Sequence, residues 1–234
     1  MPVKPYVFRY DNVRNFFLGS RRIDSNIGTA GISFDLQIAE GSYADSLWIK
    51  RGAGQVTTNA TYSGTTRTFE EFSSVGLTEP VTLPILGTGT GALAIVGECI
   101  DGSMGTTGQV NQFRGLEASL AFHGAALGRV IYFAEDLAAP GDGGEHDLGA
   151  VPDGMALYIC FHVADVQGGD ITLMVEADAP GFAGPVAVGS YGPIVAPGSH
   201  HVLYRDPIAT THYRATVAGT FTSATFSVSA GIDF

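Results

Sequence analysis

The sequence predicts an all-β protein built from two β domains, and three observations support this fold class. Runs such as residues 170–177 alternate apolar and polar residues, which is typical of a half-buried strand. Turn-forming segments rich in Gly, Pro and Asp separate these runs at regular intervals. Of the 234 residues, 45% are hydrophobic and only 15% are charged, so we expect the chain to fold.

The first half of the chain is predicted to form a series of strands. The clearest alternation places Ile32, Phe34, Leu36 and Ile38 on one face of a strand. Residues 114–122 are open to a second interpretation, because Leu116 also fits the apolar stripe of a short helix. The predicted strands span residues 6–10, 15–19, 32–39, 46–50, 81–86, 92–100 and 116–123.

Residues 50–72 form a polar segment rich in Gly and Thr. The sequence is consistent with a long hairpin or with a loop that orders on contact with another molecule. Long loops in compact domains usually have a function.

The second half repeats the pattern of short strands and turns, which predicts a β-sandwich. The pattern resets around residues 125–128, so we predict one domain at residues 1–126 and a second at 127–234. In the last strand Phe226, Val228, Ala230 and Ile232 share one face. The predicted strands span residues 129–134, 145–148, 155–164, 170–177, 186–188, 200–204, 211–217 and 224–232.

Charge is distributed unevenly along the chain, whose formal net charge is −11. Residues 1–67 carry eight basic groups against five acidic ones, and residues 68–234 carry four against eighteen. An acidic protein is poorly suited to gripping nucleic-acid phosphates, which requires clustered Lys and Arg. A basic end and an acidic body suit head-to-tail assembly, and solvated surfaces of a soluble protein explain the pattern equally well.

The two cysteines, Cys99 and Cys160, lie in apolar runs far apart in the sequence. We expect buried free thiols, as in a reducing cytoplasm. The first residues contain no apolar signal region, and no run approaches the roughly 20 apolar residues of a membrane span. We therefore expect synthesis in the cytoplasm without export by a cleaved signal, and no membrane partner.

Two short motifs invite a ligand-binding interpretation. The run from Gly87 to Gly91 lacks the Lys-Ser/Thr pair and the spacing of nucleotide-binding loops, so a flexible turn is favoured. Residues 142–147 include four possible ion ligands but lack the EF-hand order, so a polar hairpin tip is favoured over a Ca²⁺ site. Those four residues are Asp142, Glu145, His146 and Asp147.

Three histidines flank two strands that we predict to be adjacent, and two of them could meet across a ladder. They are His200, His201 and His212. Surface or stacking roles are favoured over a metal-dependent hydrolase site, because no third convergent ligand is evident. No G-x-S-x-G, H-E-x-x-H or C-x-x-C motif occurs either. We therefore predict neither catalytic nor metal-binding residues, no cofactor and no enzymatic activity.

The second half resembles the extra β-sandwich module of some tail proteins of long-tailed bacteriophages. The residues that carry this resemblance are GRVIYFAEDL at 128–137, the run from His146 to Pro185, and HYRATVAGTFTSATFSVSAGI at 212–232. The first half resembles the core of tail tube (major tail) proteins through the Arg67-Thr-Phe69 loop and FRGLEASLAFHGA at 113–125. It lacks a clear Thr-x-Phe-Gly-Asp motif.

This resemblance implies hexameric rings stacked into a tail tube, with strands of neighbouring subunits joined into a continuous inner β-barrel. The segment at 50–72 would then be an inter-subunit loop, whose candidate contact residues are Lys50, Arg51, Tyr62, Arg67 and Phe69. The acidic excess would let DNA pass without specific binding. The implied partners are further copies of the chain and other phage tail proteins.

The leading hypothesis from the sequence is thus a virion structural protein of a phage tail, most simply the tail tube subunit. The alternative is a capsid decoration or tail-tip module that binds host surface carbohydrate. Exposed aromatic platforms would favour that alternative, and the sequence does not suggest them.

Overall fold

A computed structural model describes residues 16–23, 31–38, 56–66, 79–87, 89–107 and 114–233. Every regular element in these ranges is a strand, which confirms the all-β prediction. The strands are β1 (Phe16–Leu18), β2 (Arg21–Ile23), β3 (Gly31–Ile38), β4 (Val56–Thr66), β5 (Glu79–Leu86), β6 (Leu93–Thr107), β7 (Arg114–Leu137), β8 (Gly141–Asp142), β9 (His146–Asp147), β10 (Ala156–Gln167), β11 (Asp170–Asp178), β12 (Val186–Ile194), β13 (Gly198–Tyr204), β14 (His212–Thr220) and β15 (Ser223–Asp233).

These strands form two antiparallel sheets. The larger sheet has the order β13-β10-β15-β7-β6-β5-β1-β2, with β4 and β3 attached to the first half of β7. The smaller sheet has the order β12-β11-β14-β8, with β9 also paired to β14. Each strand pair in both sheets is antiparallel, as expected when one sheet face is buried and the other is open.

The two sheets pack face to face around one hydrophobic core. In β11 every second residue is buried, so Ile171, Leu173 and Val175 fill the core while the residues between them are half-buried. The larger sheet contributes Phe161 and Phe226, which have no exposed surface. This packing is the β-sandwich that the alternating pattern predicts.

Strand β10 differs from β11 because both of its faces are covered. Leu157 and Phe161 face the sandwich core, whereas Tyr158 and Cys160 belong to a second cluster on the other face. Eight consecutive residues of β10 are buried, and they form a continuous apolar run broken by one histidine, His162. A strand buried on both faces shows this pattern instead of strict alternation.

The second cluster exists because the larger sheet curls into a half-barrel. Strands β2 and β5 approach β10, and β5 also approaches β13, although these strands are far apart in the sheet order. Small residues on β6 and β7, such as Ala94 and Ala126, line the inside of the curl. Their size lets the two ends of the sheet come close together.

One glycine is required where β7 pairs with β15. A Cβ atom on Gly128 would lie 2.0 Å from the carbonyl oxygen of Ala230. Only glycine fits against the neighbouring backbone at that distance, so this position fixes the close approach of the two strands.

Beyond the half-barrel, four strands extend as an arm, which we define as β3, β4, residues 99–107 of β6 and residues 114–122 of β7. Their pairing order is β6-β7-β4-β3. The structure therefore makes residues 114–122 a strand and not a helix. It also makes Val56–Thr66, the centre of the predicted long loop, a strand, consistent with its content of Thr, Val and Tyr.

Some sequence predictions lie outside the described residues, including the strands at 6–10 and 46–50. The strands predicted at 116–123 and 129–134 are one continuous strand, β7, which crosses residues 126 and 127. The division into two domains at that point stays a prediction.

Replacing Phe161 with Ala should lower the free energy of unfolding by about 3–5 kcal/mol, because it leaves a cavity in the sandwich core. Denaturant unfolding followed by circular dichroism measures this change. Val195→Ala is the matched control, since Val195 is 70% exposed and should change stability by less than about 0.5 kcal/mol. Equal effects of the two substitutions would contradict the described core.

Candidate functional site

The arm is amphipathic, because apolar and polar residues alternate in step across its four strands. Where all four strands pair, the register produces rows of positions that run across the arm. Two apolar rows, with one polar row between them, are Ile32, Tyr62, Ala118, Met104 and Phe34, Ala60, Leu120, Gly102. The polar rows beside them are Ser33, Thr61, Ser119, Ser103 and Asp35, Asn59, Ala121, Asp101.

Adjacent rows of a sheet lie on opposite faces, and in the arm apolar rows alternate with polar rows. The arm therefore has one apolar face and one polar face. The charged positions in these polar rows, Asp35 and Asp101, are both acidic. Within the described residues no second sheet packs against β3 or β4. An apolar sheet face of this kind is normally buried against another layer.

The apolar face of the arm continues onto the body of the protein. Val96 pairs with Ala126 and Glu98 with His123, so β7 has one extra residue at this point. This bulge keeps Leu127 on the same face as the apolar rows of the arm. The side chain of Leu127 is 48% exposed, which is unusual for a large apolar residue in the middle of a sheet.

The arm also has two open edges among the described residues. Strand β3 pairs only with β4, and residues 101–107 of β6 pair only with β7. Open edges present unpaired N–H and C=O groups, which another chain can pair with. Because the two edges belong to different strands, identical copies can join them head to tail.

The predicted contact residues of the 50–72 segment are only partly described. Tyr62 lies in β4, in register with Ile32 and Ala118 on its two sides. Lys50, Arg51, Arg67 and Phe69 lie outside the described residues. Their role between subunits stays a prediction.

A second feature is a chain of hydrogen bonds buried inside the half-barrel, which we call the polar latch: Gly19, Thr82, His162 and Ser229. The ring of His162 is 2.7 Å from the carbonyl oxygen of Gly19 through Nδ1 and 2.8 Å from the Thr82 hydroxyl through Nε2. The hydroxyls of Thr82 and Ser229 are 2.5 Å apart. The three side chains have no exposed surface.

For a neutral His162 ring, one arrangement of protons satisfies the polar latch. A carbonyl oxygen accepts, so Nδ1 of His162 donates to Gly19. The neutral ring then accepts at Nε2 from the Thr82 hydroxyl, and Thr82 accepts in turn from Ser229. Burial lowers the pKa of His162 to about 4, and the hydrogen bond to Gly19 opposes this shift only in part. The ring is therefore neutral at pH 7.

A hydroxyl bonded to an imidazole is also the arrangement of an activated nucleophile. Here solvent does not reach Thr82 or His162, so the geometry joins strands and does not present a reactive group. Sequence reasoning missed this cluster. The one available signal was a histidine within the apolar run of β10.

The three histidines singled out from the sequence lie on strands of two different sheets, so they do not meet across a ladder. His200 and His201 lie on β13 in the larger sheet, whereas His212 lies on β14 in the smaller sheet. The prediction of adjacent strands is wrong because residues 205–211 carry the chain from one sheet to the other. The ring of His201 stacks on Tyr158 at 5.7 Å, and that of His200 lies 5.3 Å from Tyr191.

The carboxylates at residues 142–147 accept backbone hydrogen bonds. Asp142 accepts from Gly144 N and Asp147 from Gly149 N, both at 3.0 Å. Such bonds are typical of turns that an Asp side chain closes. Among the residues that the structure describes, no group of three or more His, Cys, Asp or Glu side chains is arranged to hold a metal ion.

Gly87 and residues 89–91 lie in the turn between β5 and β6, where the sequence predicts a turn. Gly87 and Gly91 both have positive φ angles, near +90°, which favour glycine. Cys160 is a buried free thiol, and burial raises its pKa. In the described part of the chain no helix has the length and hydropathy needed to cross a bilayer.

A groove of about 220 Å³ lies between the start of β12 and residues 207–210. Its lining exposes polar and apolar surface in about equal parts and includes Val186, which is 60% exposed. The charged residue among its lining side chains is Asp178, which already accepts hydrogen bonds from Ala179 N and Gly184 N. The groove therefore offers mixed polar and apolar surface, and the charged residue in its described lining is already hydrogen-bonded.

No family model and no curated protein matches this chain. Among solved structures, the chain is similar to the SPP1 Dit protein, described as a paradigm of the hub adsorption apparatus in phages that infect Gram-positive hosts. The alignment covers 96% of this chain and 94% of that chain, with 8% identity and a TM-score of 0.24. A likeness of this size does not assign a function.

Substituting Thr82 with Val should destabilise the protein more than Ser229→Ala. Val leaves His162 Nε2 and the Ser229 hydroxyl buried without partners, at a cost of about 1–3 kcal/mol for each unsatisfied group. Ser229→Ala removes one donor and should cost about 0.5–1.5 kcal/mol. Denaturant unfolding of both single variants and the double variant measures their coupling. Additive effects would contradict the shared hydrogen-bond chain.

Proposed function

We propose that this chain is a structural protein of a bacteriophage tail, and specifically the subunit of the tail tube. The observation that carries the proposal is the amphipathic arm with its two open edges. The resemblance of residues 113–125 and 128–137 to tail tube proteins supports it. In this role the arms of neighbouring subunits join edge to edge and close into a ring.

The two faces of the arm suit different surroundings in such a ring. The apolar face, together with Leu127, is buried against protein when the subunits assemble. The polar face lines the channel, and its charged positions Asp35 and Asp101 repel the phosphates of DNA. DNA therefore passes without being held.

The smaller sheet takes no part in the arm and lies on the other side of the sandwich core. On its outer face Arg214 forms an ion pair with Glu176 at 2.7 Å and lies 4.5 Å from the ring centre of Phe182. These contacts hold residues 179–184 over the sheet. We assign the sandwich to the outside of the tube, where it has a structural role without enzymatic activity.

The purified protein, concentrated and imaged in negative stain, should form six-fold rings or hollow tubes. The reason is that open edges and an apolar face are both covered only in the assembly. Lone particles or trimers at high concentration would contradict the tube proposal and favour the decoration or tail-tip alternative.

Leu127→Asp should abolish this assembly while leaving the fold intact, because it places a charge on the face that the ring buries. Sedimentation and negative-stain imaging measure the loss, and circular dichroism checks the fold. Val195→Asp is the control, since Val195 is 70% exposed on the turn between β12 and β13. Assembly that survives Leu127→Asp would remove this face from the interface.

A further inference from the structure

The hairpin of β1 and β2 has little regular pairing to hold it in place. Strand β1 pairs with β5 at two positions, and β2 pairs only with β1 among the described residues. One further backbone bond joins Gly19 N to Pro80 O at 2.9 Å. Short, weakly paired edge elements are the parts of a protein that open first.

Two sets of side-chain contacts add to this pairing. At the surface, Arg22 forms an ion pair with Glu135 at 2.9 Å and lies over the ring of Phe133. In the interior, His162 donates to the carbonyl of Gly19 and stacks on Phe17 at 5.3 Å. The interior contacts join the hairpin directly to β10.

We propose that the β1–β2 hairpin is a flap held shut by His162, and that acid releases it. The proposal is independent of the assembly role. In the closed flap the neutral ring accepts a hydrogen bond from Thr82 and is sealed from water by Phe17. A proton on Nε2 turns that acceptor into a donor. The Thr82 hydroxyl would then have to accept from the ring and donate to Ser229, which reverses both bonds of the closed flap.

No carboxylate forms a hydrogen bond or ion pair with His162 among the described residues, so the imidazolium would be a buried and unpaired charge. Opening the flap lets water solvate it. The charged and titratable groups on the elements packed around the ring include Tyr158 and Cys160 on β10, His201 on β13, Glu79 on β5, Glu98 on β6 and Arg22 on β2.

The surface contact does not share this pH dependence. The hydrogen bond from Arg22 keeps the pKa of Glu135 below its ordinary value. Glu135 therefore stays ionised and paired down to pH values below those that protonate an exposed histidine. The Glu79 carboxylate also lies beside Gly19. The part of the response between pH 7 and pH 4.5 that His162→Gln abolishes is therefore the part assigned to His162.

The direction of the pH dependence follows from the linkage between proton binding by His162 and opening of the flap. An open flap exposes His162, whose pKa then returns to about 6.5, whereas in the closed flap it is about 4. The open state binds more protons between these values, so closure is fully favoured above about pH 6.5 and is lost progressively as the pH falls towards 4. The opening constant should rise by at most about tenfold for each pH unit, most steeply near the middle of this window.

Hydrogen exchange of the backbone amides tests the proposal in the full-length protein. Between pH 6.5 and 4.5 the protection factors of residues 16–23 should fall by about 40-fold, after correction for intrinsic exchange. Protection in β11 and β14 serves as the internal control and should not fall by the same factor. A fall of equal size throughout would mean global unfolding and would overturn the flap.

His162→Gln provides the matched variant, because its amide can still donate to Gly19 and accept from Thr82 but does not titrate. It should abolish the pH dependence at residues 16–23. Persistence of the full change of about 40-fold in this variant would overturn the proposal.

Should the variant fail to fold, ¹⁵N chemical shifts of the His162 ring in the unmodified protein decide the question. A neutral ring protonated at Nδ1 down to pH 5 supports the latch. An imidazolium in the closed flap at pH 6 would overturn it.

Discussion

The rest of the structure depends on the burial of β10 on both faces. One face of this strand packs against the smaller sheet, and the other is covered by the curled end of its own sheet. When an apolar strand is covered on both faces, apolar surface in two packed layers is removed from water. For a chain with few charges, this burial is the largest favourable contribution to the free energy of folding. Any polar side chain on β10 must therefore find its partners inside the protein. His162 meets this requirement by bonding to the turn at Gly19 and to Thr82.

Among the described residues, this constraint separates a part that completes its own packing from a part that does not. The sandwich and the half-barrel bury their apolar faces internally, with the latch satisfying the polar groups between them. The arm alternates as regularly as β11, yet the described residues provide no layer for its apolar face. Leu127 marks the point where internal packing ends. The same alternation that builds a core within one chain is, in the arm, suited to building a core between chains.

Much of this architecture could be predicted from the sequence, because a strict alternation of apolar and polar residues begins and ends close to where the strand begins and ends. The predicted strand at 170–177 differs from β11 by one residue. Strand β12 was harder, since Gly189, Gly192 and Pro193 weaken its β pattern beyond residue 188. The latch could not be predicted, because Thr82 and His162 are 80 residues apart and Thr82 and Ser229 are 147 apart. The prediction that β13 and β14 are adjacent was wrong for a related reason. In the sequence, a loop that connects strands of two different sheets cannot be told from a loop that connects neighbouring strands of one sheet.

If β10 joins the two layers, strands on both sides of it should open together. Hydrogen exchange at increasing denaturant measures the opening free energy of each strand separately. We predict the same value for the amides of β5 and β6 as for those of β10 and β15, with the short hairpin of β1 and β2 opening earlier. A lower opening free energy for β5 and β6 alone, with β10 and β15 still protected, would contradict the claim that one doubly buried strand unites the fold.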